Sequence, residues 1–142
     1  MCAEPTRKKK ATKIILDSNA LFVPLQFKID IFEGIQNLLE TKAEFILLSP
    51  IKEELQQLAE KGGPKMRKNA AYALEQAKKC HLVKVDKAYK SLAPDDIILE
   101  LSREWKCPVF TNDRQLRKKL RDINVPVIYV RQKSRLEIDG RV

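Results

Sequence analysis

Ile14, Ile15 and Leu16 form an unbroken apolar run that stops at Asp17, within the stretch Lys-Ile-Ile-Leu-Asp-Ser-Asn over residues 13–19. A strand without a polar face must be covered on both sides, the condition met in a parallel sheet flanked by helices. A carboxylate where such a strand ends loses hydration unless it meets a cation, a donor or water. Ligands of open α/β sheets bind at those strand ends. Asp17 therefore reads either as a turn residue ahead of a capping Ser18 or Asn19, or as part of a site. Acids at equivalent places elsewhere would favour the site.

The rest of the chain repeats strand and helix signals in alternation. Ala20 to Phe27 reads as a short helical or irregular piece interrupted by Pro24, and Ile29 to Glu40 as an amphipathic helix carrying Ile31, Ile35, Leu38 and Leu39 inward. Glu44 to Leu48 is a second apolar strand. Ser49-Pro50 then signals a helix with serine as N-cap, whose inward stripe is Ile51, Leu55, Leu58 and Ala59. Gly62-Gly63-Pro64 breaks the chain before an alanine-rich helix from Lys65 to Cys80. A third strand, less buried, is expected over His81 to Asp86, a helix from Pro94 to Trp105, and a fourth strand over Val109 to Thr111. A strongly basic helix from Asp113 to Asp122 and a fifth strand from Val125 to Val130 follow. This order, with short connections, predicts a three-layer α/β/α domain around a mainly parallel sheet of about five strands. The domain is expected over 13–131, between a flexible basic arm (1–12) and a C-terminal tail (132–142) that either adds a hairpin or stays loose.

At 142 residues the chain suits one core, and its formal net charge of +9 points to a polyanionic partner. No apolar run approaches the roughly 18–20 residues that span a bilayer, so no membrane partner is expected. A cytoplasmic location is expected, nucleolar in a eukaryotic source. Cys2, Cys80 and Cys107 are scattered and His81 stands alone, which indicates neither a zinc site nor a disulfide framework.

Acids do recur at the strand-to-helix junctions. At about 100° per residue Glu54 falls in the sector of Ile51, Leu55 and Leu58, where a carboxylate is costly without a partner, while Glu53 points away. Asp113 lies three and seven residues before Leu116 and Leu120; its alternative role is helix capping with Asn112 and Gln115. Asp95 sits nearer the apolar face of its helix than Asp96. In a parallel sheet Asp17, Glu54, Asp95 and Asp113 converge at one edge, where divalent cations would offset their repulsion. With oxygen ligands only, Mg²⁺ or Mn²⁺ is the expected occupant, and phosphodiester hydrolysis the expected chemistry. Lys8, Lys9 and Lys10 in the arm, Arg114, Arg117, Lys118 and Arg121 on the last helix, and Arg131 after the fifth strand are candidate phosphate contacts.

In their order and strand context, Asp17-Ser18-Asn19, Glu54-Leu55, Asp95-Asp96-Ile97-Ile98 and Thr111-Asn112-Asp113 resemble the PIN (PilT N-terminus) domain nucleases, over most of the chain from Ile14 to Val130. The resemblance implies an α/β/α fold and Mg²⁺- or Mn²⁺-dependent endoribonuclease activity on single strands. It implies that Asp17, Glu54, Asp95 and Asp113 are the acidic catalytic and metal positions and that Asn19 and Thr111 orient the site, with Asn112 and Asp96 beside them. Thr-Asn-Asp-Arg-x-Leu, the doubled aspartate and the ending Pro-Val-Ile-Tyr-Val look most like the branch that processes small-subunit ribosomal RNA.

The expected function is thus a metal-dependent endoribonuclease of ribosomal RNA maturation, with water as nucleophile because no serine or cysteine is paired with a base. Single-stranded or precursor ribosomal RNA is the expected partner; ribosome-assembly proteins and a second copy of the chain are further candidates. The alternatives are the toxin ribonuclease of a toxin–antitoxin pair and a non-catalytic RNA-binding scaffold.

Overall fold

Complete burial of Ile14, Ile15 and Leu16 explains why nothing polar interrupts them: β1 (Thr12–Leu16) is a central strand with both faces covered. The computed structural model describes residues 11–89 and 91–140. Its sheet has six strands in the order β3-β2-β1-β4-β5-β6, with β2 (Ala43–Leu48), β3 (His81–Val83), β4 (Val109–Phe110), β5 (Val127–Arg131) and β6 (Arg135–Asp139). The first five strands run parallel and β6 returns antiparallel to β5.

Six α-helices connect the strands among the described residues: α1 (Val23–Phe27), α2 (Ile31–Leu39), α3 (Ser49–Lys61), α4 (Pro64–Ala77), α5 (Pro94–Trp105) and α6 (Arg114–Asp122). Strand order grows outward from β1 on one side and from β4 on the other. With right-handed crossovers, α1 to α4 therefore cover one face and α5 and α6 the opposite face. The core lies in both interfaces, from Ile35, Ile51 and Leu55 on one side to Ile98, Leu101, Leu116 and Leu120 on the other. No helix among the described residues is long and apolar enough to cross a membrane.

Two local expectations change, and one open alternative is decided. Pro24 does not interrupt a helix; it begins α1, directly after a 3₁₀ turn over Ser18–Phe22, because proline at the first turn needs no amide partner. Ser49 does not cap α3. Leu48 occupies the cap position without a side-chain bond, and the Ser49 hydroxyl instead accepts from the Val85 N–H at 3.0 Å, tying α3 to the segment after β3. The tail, left open between a hairpin and a loose end, is a hairpin: the sheet runs on to Asp139, pairing Arg131 with Arg135 and Val127 with Asp139. Of the basic arm, Met1 to Lys10 lie outside the described residues.

Candidate active site

Pairing of Leu16 with Phe110 makes the next residues along β1 and β4, Asp17 and Thr111, neighbours just past the strand ends. This is the place where strand order reverses direction, the crevice in which open α/β sheets bind ligands. Asp17 is 4% exposed and Thr111 fully buried, so each must find its partners inside the protein. Thr111 donates its hydroxyl to Asp17 Oδ2 at 2.8 Å, Asn19 donates to the same oxygen at 3.1 Å, and the Ser18 N–H donates to Oδ1 at 2.7 Å.

The network continues sideways. Asn19 Oδ1 accepts the Asn112 N–H at 3.0 Å, Thr111 Oγ1 accepts the Asp113 N–H at 3.1 Å, and Asn112 Oδ1 accepts the Val130 N–H at 2.9 Å. The ends of β1, β4 and β5 are thereby pinned together by Asn19, Thr111 and Asn112. Asp113 is the N-cap of α6: its Oδ1 accepts the N–H groups of Gln115 and Leu116 at 2.9 and 3.4 Å. Capping uses one oxygen, and Oδ2 carries no hydrogen bond among the described residues.

Glu54 stands differently from its expected place on the buried stripe of α3. Like Glu53 it is exposed, because the stripe closes around Ile51 and Leu55 and Glu54 falls at its rim. Its carboxyl still belongs electrically to the site. Lost hydration raises its pKa, the neighbouring Asp95 raises it further, and the Ser18 hydroxyl pulls the other way. Asp95, half-buried at the first turn of α5, is raised by lost hydration and then by Asp113, while Lys119 opposes this. Asp96 is exposed, as its projection away from the apolar face required. Asp17 is pushed up to about 6, chiefly by burial, with Asp95 and Glu54 adding to the shift and the Thr111 and Ser18 hydrogen bonds opposing it.

Among the described residues no three His, Cys, Asp or Glu side chains close around one point as a metal cage. The donor set nevertheless fits a hard divalent cation. All its atoms are carboxylate oxygens, Asp95 and Glu54 raise the pKa of Asp17 as Asp113 raises that of Asp95, and among the described residues the buried Asp17 has no basic hydrogen-bond partner. Mg²⁺ in particular keeps several waters and needs only one or two protein carboxylates, so an open site suits it. Burial pushes Cys80 up to about 12 and Cys107 up to about 11, which disfavours the thiolate, the nucleophilic form, at both.

The candidate phosphate contacts separate. Arg114, Arg117 and Arg131 line one groove of about 650 Å³ beside Asp113. Lys118 is exposed outside it. Arg121 faces away: it holds Asp139 at 3.3 Å and the Val125 carbonyl at 3.4 Å, bracing α6 against the end of β6. Lys8, Lys9 and Lys10 lie outside the described residues. Tyr129, which sequence reasoning passed over, also lines the groove, with the Arg117 guanidinium 4.1 Å from its ring centre. Its signal was a single aromatic in the otherwise aliphatic Val-Ile-Tyr-Val strand.

Known proteins resemble this chain in sequence and fold. Ribonuclease VapC4 of Methanocaldococcus jannaschii is 39% identical over 131 residues, covering 92% of this chain and 98% of that protein. The rRNA-processing protein fcf1 of Schizosaccharomyces pombe is 32% identical over 119 residues, which cover 82% of this chain and 58% of that protein's length. Among solved structures, that of the PIN domain endonuclease Utp24 matches with a TM-score of 0.72 at 27% identity, covering 92% of each chain. A family model described as a PIN-like domain matches residues 14–133. That span begins within the first buried strand and takes in Asp17, Glu54, Asp95, Asp113 and the polar side chains that pin the strand ends, so the chain belongs to the PIN-like domain family.

Proposed function

We propose that this chain is an endoribonuclease that hydrolyses RNA phosphodiester bonds with Mg²⁺ or Mn²⁺ and acts in ribosomal RNA maturation. The observation that carries the reading is the buried Asp17, raised to about 6 with Asp95 and Glu54 beside it, at the sheet's switch point. Such a carboxylate is costly alone and favourable beside a cation. The similarity to ribonuclease VapC4, which spans nearly all of that protein, supports RNA hydrolysis, and the similarities to fcf1 and Utp24 support the ribosomal assignment.

Asp17 and Asp113 are the principal ligands in this reading, with Glu54 and Asp95 completing the acidic set. These carboxylates would hold a divalent cation, which would supply charge neutralisation at the scissile phosphate and lower the pKa of a bound water. Thr111 and Asn19 hold the Asp17 oxygens in place, and Asn112 keeps the β4–α6 turn against β5. Arginines beside Asp113 seat the flanking phosphates.

The test is cleavage of a labelled single-stranded RNA by wild-type and Asp17→Asn protein in Mn²⁺, Mg²⁺ or chelator. Metal-dependent cutting by the wild type, reduced about 100-fold or more in the variant, is expected from loss of one charge-stabilising group. Undiminished cutting by a folded Asp17→Asn protein would overturn the assignment, and RNA binding without cutting in either protein would favour a scaffold.

A further inference from the structure

Asn112 and Arg114, the two residues that bracket Asp113, both reach into the groove of about 650 Å³ that opens beside it. The volume lies within the roughly 300–1,000 Å³ typical of small-molecule sites, enough to take a nucleotide unit rather than a lone phosphate. One wall is the Arg117–Tyr129 stack, with the guanidinium carbon 4.1 Å from the ring centre and both residues half-buried. Attraction between the guanidinium and the ring face restricts the Arg117 side chain before any ligand arrives. Neither Arg114 nor Arg117 forms an ion pair among the described residues, whereas Arg131, at the groove's far side, is held by Glu137 at 3.1 Å.

The uncharged groups carry further information. Asn112 spends its oxygen on the Val130 N–H, which turns its amide N–H₂ outward as a donor without a partner among the described residues. Gln132, also in the wall, sits at the tip of the β5–β6 hairpin with φ of +55°, followed by Lys133 at +60°. Two successive left-handed residues that are not glycine are held there by the pairing of β5 with β6. A fixed planar cation, unpaired arginines and amide donors together fit a planar heterocycle joined to phosphate. A phosphate alone would need no platform, and a duplex could not place a base on one.

We propose that this groove is a subsite for one unpaired nucleotide of single-stranded RNA next to the acids. Its base lies on the Arg117–Tyr129 stack, its phosphates meet Arg114 and Arg131, and the Asn112 amide meets the base edge. The identity of the polymer rests on the nuclease reading; the occupancy of the groove is tested without cleavage.

The experiment measures anisotropy of a short labelled oligouridylate and of a blunt RNA duplex in chelator, with wild type, Arg117→Lys and Tyr129→Leu. Arg117→Lys keeps the charge at a partly exposed position and removes only the planar stack, so it decides the matter even where Tyr129→Leu perturbs β5. Single-strand binding is expected to weaken about 5- to 100-fold in both variants, the range for removing one stacked base, and duplex binding by less than about 2-fold. Wild-type affinity of Arg117→Lys for the single strand, or equal losses on duplex, would overturn the subsite. A protein that cuts RNA while Arg117→Lys leaves KM unchanged loses the subsite and keeps the nuclease. A protein whose variants lose single-strand binding but whose wild type never cuts keeps the subsite and loses the nuclease.

Discussion

Burial holds the Asp17 carboxyl at about 6 because the Thr111 and Ser18 donors restore only part of the hydration it loses on folding. In the unfolded chain the same group titrates near 3.8, so between these values the folded state binds more protons. Stability of the metal-free protein must then fall as pH rises through that window, the reverse of a salt-bridged aspartate. At about 1.4 kcal/mol per unit the contribution is at most about 3 kcal/mol, fully present below the window and lost above it. Thermal melts of wild type and Asp17→Asn in chelator check this: the difference between the two curves should slope across pH 4–6 and flatten above about 7. A difference that does not vary with pH would show that Asp17 keeps its ordinary acidity. Added Mg²⁺ or Mn²⁺ should raise the melting temperature more at pH 7.5 than at pH 5, because the cation must displace a proton at the lower pH.

The β5–β6 hairpin shows how an element can depend on contacts that its own residues do not announce. Gly140, just past β6, has φ of +105°, and a Cβ there would run into the Arg121 guanidinium and lie 3.1 Å from the Pro126 Cα. Arg121 is the residue that grips Asp139, so Gly140→Ala strains both the backbone and this brace. A loss of about 1–3 kcal/mol is expected, a drop of several degrees in melting temperature. Cleavage by the folded fraction should not change, since the acids lie at the opposite end of β4 and α6; an unchanged melting temperature would show that the end of β6 bears no load. Arg-Leu-Glu-Ile-Asp carries only two apolar residues among charges, and its partner is an edge, which is why the sequence left hairpin and loose tail equally open. The central elements were legible because their residues admit one environment: Ile-Ile-Leu needs cover on both faces, and Pro50, Pro64 and Pro94 each stand in the first turn of a helix. The places of Asp17 and Asp113 just past strand ends and of Asp95 in the first turn of a helix were legible, but the exposure of Glu54 was not, since helical projection yields direction without the height of the neighbouring wall. The contacts of Ser49 and Arg121 were not legible, for a shared reason. Their partners, Val85 and Asp139, are distant in sequence, and a local cap or a basic stripe was the nearest account available.

Over the whole molecule the formal net charge is +9, and on the proposed reading that charge and the four acids act on RNA in different ways. The surface charge draws in any polyanion and is screened by salt, whereas the acids oppose a phosphate until a cation offsets them. Affinity and cleavage should therefore separate: chelator abolishes cutting and leaves most of the binding, while salt weakens binding at constant metal. For a single strand each neutralised phosphate contributes about −0.7 to the slope of log K against log salt, so Arg114 and Arg131 alone predict a slope of about −1.4. Lys8, Lys9 and Lys10, if they reach the strand, steepen it by about a further 2, and a chain starting at Ala11 should recover the shallower value. Titrations of labelled RNA at several salt concentrations in chelator, with the full chain, the shortened chain and Arg114→Ala, read these contributions directly. Arg114→Ala should flatten the slope by about 0.7 in both chains, and a slope indifferent to both changes would mean that binding runs through a surface other than the one beside Asp113.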